Sequence, residues 1–276
     1  MRHAPGTRTP SGTARTTARI AAALALALSA ACDSDDYDAV APSAPPAPQP
    51  TAVVTASGDV AARVAEFRTL LGDPANGAAA GQQAGGRREI SWDGAGANPF
   101  NNRNDFPADF FNTTARNGAV FTTPGTGFRN DSTRFADVDA SYAAQFATFS
   151  PTKVFAPVGS HVMDVHFRVA GEQTPAAVTG FGVVFSDVDR LGPTTLEYFD
   201  RDGRSLGKVT APARSDAAGL SLAGLRFADP IVARVRVTGG TGALGAGVRD
   251  VSAGGTHDLV VLDNFVFGEP VALPPR

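Results

Sequence analysis

The chemical signal in this chain is carboxylates set where apolar side chains are expected. Asp187 and Asp189 follow the apolar run Phe181 to Phe185. They are two residues apart, so a strand ending there points both from one face. Asp263 lies inside DLVVLDNFVF, between Leu262 and Asn264. Regular alternation puts it on the face of Leu259, Val261, Phe265 and Phe267, where a carboxylate is costly unless paired or bound to a cation. Calcium takes roughly six to eight oxygens from carboxylates and carbonyls, which loops at strand ends supply. With Glu89 near the first expected strand, Glu89, Asp187, Asp189 and Asp263 are the candidate ligands of a structural calcium ion. The plainer reading has Asp187 and Asp189 accepting from loop amides. Asp263 is then paired with an arginine such as Arg88 or Arg234, or turned to solvent by a β-bulge.

Other chemistries find less support. Gly240 to Gly245 matches G-x-G-x-x-G, but a dinucleotide site needs a following helix whose amides meet the pyrophosphate. Three further glycines between Ala246 and Gly255 argue against one. His161, His166 and His257 lack metal-ligand spacing, and two of them fall five apart on one expected strand, facing opposite sides. No G-x-S-x-G motif marks a nucleophile elbow. Asp200-x-Asp202-Gly203 opens like a calcium loop but lacks the later ligands, and reads as a hairpin turn. Glycosidase chemistry needs two acids across a cleft, and neighbours at one strand end match that poorly. No catalytic residue is assigned.

The stretch from Trp92 to Asn112 combines aromatic and amide side chains, with Phe100, Phe106, Phe110 and Phe111. Rings stack on the apolar faces of sugars, and Asn or Asp side chains bond hydroxyls, which makes these five aromatics candidate ligand-binding residues. The alternative is that Trp92 and most of the phenylalanines plug one end of the core.

The elements that must position these residues are mostly strands. His161 to Val169 alternates, with Met163, Val165, Phe167 and Val169 inward; Ile231 to Thr238 does the same, with Val235 and Val237 inward. Further strands are expected at 88–93, 119–122, 127–130, 145–149, 154–155, 181–185, 195–199, 205–211, 219–227 and 259–267. A helix is expected over 59–71, with Val60, Val64, Phe67 and Leu71 on one face and Gly72 as its stop. Short strands and little helix predict an all-β fold: an antiparallel β-sandwich or jelly roll of roughly ten strands, preceded by a short N-terminal helix and a disordered tether.

GRREISWDG, DFFN followed by GAVFTTPGTGF, FAPVGSHVMDVHF, GFGVVFSDVD, LEYFDRDGRSLG and DLVVLDNFVFGEP together resemble a set of uncharacterised secreted bacterial proteins. Some relatives of that set carry exosortase-type sorting tails. The resemblance covers about residues 86–270 and carries no activity. More loosely, the strand pattern and the closing L-D-N-F are similar to galactose-binding-like jelly rolls and carbohydrate-binding modules. That similarity implies sugar binding and a structural calcium.

Arg2, Arg8, Arg15 and Arg19 precede the apolar run Ile20 to Ala31, which is short for a membrane span and rich in small residues. Leu28-Ser29-Ala30-Ala31-Cys32 resembles a bacterial lipobox, with the leucine one position early. Cys32, the only cysteine, is the expected lipidation site. The expected organisation is a signal peptide (1–31), a Pro/Ala-rich tether (32–56), a short helix and flexible connector (57–86), a β-sandwich (87–270) and a tail (271–276). Without residues 1–31 the chain has 20 basic against 27 acidic side chains, a net charge of −7, which leaves no electrostatic footprint for nucleic acid. The combined reading is a lipid-anchored protein of the bacterial cell envelope, a non-catalytic binding or structural module whose partners are the membrane and a glycan or another envelope protein. The alternative is a secreted carbohydrate-active hydrolase. Cys32→Ala is expected to move the protein from the detergent-dependent to the soluble fraction; continued need for detergent counts against lipidation.

Overall fold

The computed structural model describes residues 48–93, 99–216 and 218–275. The expected signal peptide and Cys32 lie outside the described residues. Among the described residues, fourteen strands and three helices follow in the order β1 (Ala52–Ser57), α1 (Ala61–Leu71), β2 (Arg87–Ile90), α2 (Phe110–Thr113), β3 (Ala119–Thr122), β4 (Gly127–Asp131), α3 (Tyr142–Gln145), β5 (Val154–Val158), β6 (Val162–Phe167), β7 (Ala176–Ala177), β8 (Gly180–Ser186), β9 (Thr195–Phe199), β10 (Ser205–Thr210), β11 (Leu220–Arg226), β12 (Arg234–Thr238), β13 (Val261–Gly268) and β14 (Val271–Ala272). Two antiparallel sheets face each other. One runs β1-β11-β8-β13-β5-β4 with β2 added beside β13; the other runs β10-β9-β12-β6-β3. The all-β sandwich expected from the strand pattern is the architecture found.

The inner faces of the two sheets build the main core. Met163, Val165, Phe167, Val235 and Val237 from the five-stranded sheet meet Phe181, Val183, Phe185, Phe265 and Phe267 from the seven-stranded one. The outer faces differ. β6 shows the half-buried alternation of a strand with one side in water, whereas β8 and β13 are buried at every residue. Their outer side is covered twice. Val60, Val64, Phe67 and Leu71 of the α1 region pack on Val54, Val184, Leu222 and Val266, and Phe135, Tyr142 and Phe146 pack on Val154, Ala156 and Val261.

The helix lies close because two glycines make room. Gly182 and Gly224 are register partners on adjacent strands. A Cβ at Gly182 would stand 2.6 Å from Phe67 Cε1, and one at Gly224 2.8 Å from Phe67 Cζ. The ring therefore rests on bare backbone.

Several expected boundaries move. Residues 52–56, expected in the tether, form edge strand β1 together with Ser57, paired with β11 from Ala52–Arg226 to Ser57–Ser221; Val54 in the middle is buried. The connector 73–86 is held in place. Asn76 N donates to Arg87 O, Gly81 N to Ala170 O, and the Gln83 amide to Glu269 Oε1. Its anchor is Arg88, fully buried, which forks onto Glu269 with both bonds at 2.7 Å. The same guanidinium donates to the carbonyls of Gly77, Ala79, Gly81 and Arg116. The expected tail pairs as well, β14 with β7. Short-range patterning misses all three because their partners are distant in sequence.

Residues 145–149 are not a strand: α3 ends at Gln145 and the chain continues irregularly. The donors a ladder would use are taken by side chains, Ala147 N by Ser186 Oγ and Phe149 N by Asp263 Oδ2.

Removing one member of a buried ion pair leaves the other uncompensated, at a cost of about 3–5 kcal/mol. Arg88→Met is expected to lose that much in urea denaturation and to open residues 73–86 to limited proteolysis. A loss below about 1 kcal/mol would show that the pair does not hold this segment.

Candidate functional site

The structure separates the expected site residues into three places. The aromatic set goes to the core. Trp92, Phe106, Phe110 and Phe111 are all buried, and Phe100 packs against them. Trp92 stacks on Phe155 with ring centres 3.8 Å apart and planes 10° apart, and meets Phe111 and Phe265 edge-on. Its indole N–H donates to Asp263 O at 2.8 Å. The ring faces that would stack on a sugar are thus occupied by other rings, which corrects the ligand-binding reading of Trp92, Phe106, Phe110 and Phe111 in favour of the core plug. Trp92 has φ 66°, a left-handed backbone turn that aims the indole inward, and no periodicity forecasts it.

The four proposed calcium ligands do not converge. Glu89 is held by Arg68 through two bonds, at 2.9 and 2.5 Å, and accepts from Asn264 Nδ2 at 2.5 Å. Asp263 is buried, but not on the expected face. Leu262 and Phe265 both lie in the inter-sheet core although three residues apart, and a register shift between them accommodates the change of parity. The bulge turns Asp263 outward, under the covering segment. There Oδ2 accepts from the amides of Phe149 and Ser150, at 2.6 and 3.3 Å, and Oδ1 lies 2.8 Å from Ser150 Oγ. Glu89 is engaged elsewhere, Arg88 pairs with Glu269 and Arg234 with Asp164, and Asp263 is closed to solvent. Ser150 Oγ is also 2.7 Å from Ser91 O, and a hydroxyl has one proton for two acceptors. Both contacts are satisfied when Asp263 carries the proton and donates it. Accordingly, burial pushes the Asp263 carboxyl up to about 7, against the pull of these hydrogen bonds, with the Asp93 charge adding to the rise.

Asp187 and Asp189 remain together and gain a third partner. One carboxylate oxygen from each of Asp187, Asp189 and Asp250 lies within 4.8 Å of the others. Asp187 leaves β8 in a left-handed conformation, φ 68°, so it does not continue the strand. Its Oδ2 accepts from Gln145 Nε2 at 2.6 Å, while Oδ1 has no partner of ordinary geometry. Both Asp189 oxygens are likewise buried without a hydrogen bond of ordinary geometry, although the Ser252 hydroxyl favours their charge. Asp250 accepts from the amides of Ser252 and Leu259, and Asp258 holds the loop by accepting from the amides of Asp189 and Arg190. Burial first, then neighbouring carboxylates, push Asp187 and Asp189 up to about 7, and burial raises Asp258. Two adjacent acids shifted alike do not make the split pair a glycosidase requires. Asp250 and Asp258 fall in no helical or strand period and no motif of the sequence. Their one signal is the acid-bearing turn RDVSAGGTHD, in a loop whose glycines suit neither a helix nor a strand.

The open side of the five-stranded sheet is the third place. Successive register rows set Phe199, Arg234, His166 and Val120 in one line, and Lys208, Glu197, Arg236, Asp164 and Thr122 in the next. The Arg234 guanidinium lies 3.7 Å from the centre of the Phe199 ring, a cation–π stack. Arg236 forks onto Asp164 at 2.9 and 3.0 Å, and Arg234 Nη1 approaches the same carboxylate at 3.2 Å. Both arginines hold Asp164 below the usual carboxylate range against its burial, and burial lowers His166. Two cavities open along these rows. One of about 660 Å³ is lined by His166, Arg168, Asp200, Arg201, Arg234 and residues 273–275; the other, of about 500 Å³, by Thr122, Asp164 and Arg236 among others.

No family model matches the chain, and no curated protein matches it. Among solved structures, it is similar to the carbohydrate-binding module TmCBM61, solved in complex with β-1,4-galactotriose. The identity is 9%, the match covers 62% of this chain and 99% of the module, and the TM-score is 0.28.

The Asp263 network generates a pH prediction. Its folded carboxyl titrates at about 7 against 3.8 for the free group. Between those values the folded state holds a proton that the unfolded state has released, so stability falls as pH rises through the window and levels off above it. Asp263→Asn mimics the protonated form, its amide donating to Ser150 Oγ. It is expected to match the wild type near pH 4 and to exceed it near pH 8, by on the order of 4 kcal/mol in urea melts. A constant difference across that range would refute the protonated assignment.

Proposed function

We propose that this protein is a lipid-anchored module of the bacterial cell envelope that binds a glycan, without catalysis, on the open face of the five-stranded sheet. One observation carries the binding surface. Among the described residues, the seven-stranded sheet is covered on its outer side by α1 and the 135–146 segment, whereas the outer side of β9, β12 and β6 is left to solvent. What it presents suits a polyhydroxylated ligand. The Phe199–Arg234 stack is a flat amphipathic platform, and the Arg236–Asp164 fork beside it offers donors and acceptors fixed by each other. The two cavities fall within the usual range for small-ligand sites, roughly 300–1,000 Å³. The anchor rests on the basic segment, apolar run and Cys32 at the N-terminus, and the attachment follows from acyl-chain burial.

The test is retention on a panel of insoluble and soluble polysaccharides, by pull-down and affinity electrophoresis. Arg236→Ala and His166→Ala alter exposed or half-exposed positions of the two rows. They are expected to weaken retention about tenfold each, equivalent to about 1.4 kcal/mol, with the melting temperature little changed. Absence of wild-type retention on every glycan, or undiminished retention by both variants, rejects this surface.

A further inference from the structure

We propose that Asp187, Asp189 and Asp250 bind a calcium ion that clamps the loop after β8 to the loop before β13. Three features of the cluster lead there, none of which uses the glycan surface. The first is convergence. Three carboxylate oxygens from residues up to 63 positions apart in sequence lie within 4.8 Å of one another. Calcium–oxygen bonds of about 2.3–2.6 Å put ligands on opposite sides of the ion at about that separation. The second is the unpartnered polar surface. Asp187 is 1% exposed, and its Oδ1 has no hydrogen bond of ordinary geometry; neither has either oxygen of Asp189. Buried carboxylate oxygens are nearly always bonded, and a cation is the partner that satisfies several at once. The third is the charge surroundings. The neighbours that oppose charge on Asp187 and Asp189 are other carboxylates, Asp189 and Asp250 for Asp187, and Asp250 and Asp258 for Asp189. Gln145 fixes Asp187, and the amides of Ser252 and Leu259 fix Asp250, so the carboxylates are held close together from outside the cluster.

 The Leu259 N–H itself donates to Asp250 Oδ1 at 2.7 Å, and the Ser252 N–H to Asp250 Oδ2 at 2.6 Å, so Asp250 is aimed before any ion arrives.

The donor set selects the metal class. All three side chains offer hard oxygen, and the cluster contains no imidazole or thiolate, which sets zinc and copper aside. Two of the ligands follow β8 directly and the third lies in the long loop before β13. The ion would therefore join the ends of the two strands that pair along the middle of the seven-stranded sheet.

The experiment titrates calcium chloride into chelator-stripped full-length protein by isothermal calorimetry and follows melting temperature in calcium and in chelator. One calcium per chain is expected, with a rise of about 5–10 °C at a hundredfold excess over Kd. Asp189→Asn, at a half-buried position, removes a ligand and also a negative charge. In chelator it should melt at or above the wild type, and in calcium below it, so the order of the two proteins reverses. Absence of calcium heat and of any melting shift in the wild type overturns the proposal, whether or not the variant folds. A calcium shift of equal size in Asp189→Asn places the ion elsewhere and also overturns it, as does a larger stabilisation by magnesium than by calcium.

Discussion

The pairing of β8 with β13 in the middle of the seven-stranded sheet is the constraint on which the rest depends. Both strands are buried at every residue, so each needs apolar cover on two sides. The inner side is met by the facing sheet, the outer by α1 and by the segment around α3. Any polar group that falls within these strands must find its partner inside the protein. Ser186 and Asp263 do so by accepting from the amides of Ala147, Phe149 and Ser150, and Asp187, just past the end of β8, accepts from Gln145; these bonds dock the covering segment. The same contacts deny that segment a ladder of its own.

This double cover makes the molecule asymmetric. The five-stranded sheet keeps one side in water, and its alternation of inward apolar and outward polar residues survives intact in β6 and β12. Its outer charges are arranged in cross-strand pairs, Arg236 with Asp164 and Arg234 over Phe199, rather than scattered singly. The aromatic wealth of residues 92–111 is spent on the interior, where Trp92, Phe106, Phe111 and Phe155 pack ring against ring. The open face of the five-stranded sheet consequently presents arginine, histidine and carboxylate side chains with one phenylalanine, and no tryptophan.

The carboxylates divide by what compensates them. Glu269 meets Arg88 in a dry, fully bonded pair that ties the N-terminal segment to the end of β13. Asp263 is held among amides and a hydroxyl. Asp187 accepts from Gln145 through one oxygen, while its other oxygen and both of Asp189 are buried beside Asp250 without a hydrogen bond of ordinary geometry.

Much of the architecture was legible in the sequence by itself. Alternation in 161–169 and 234–238, the Asp202-Gly203 turn and the helical face of Val60, Val64, Phe67 and Leu71 are local patterns, set by side-chain period and turn chemistry, and they carry through to the fold, whereas Val232, expected outward, is buried in the core. That carboxylates at 187, 189 and 263 need compensation was also legible, since it follows from burying charge. Which groups compensate them was not. A single bulge between Leu262 and Phe265 moves Asp263 to the other face, and one left-handed residue turns Trp92 into the core. Strand β1 pairs with a partner about 170 residues away, and Asp250 reaches Asp187 through a loop without periodicity. These depend on register and on long-range pairing, which only the tertiary structure decides, because the energy that selects them comes from contacts between segments that no local pattern links.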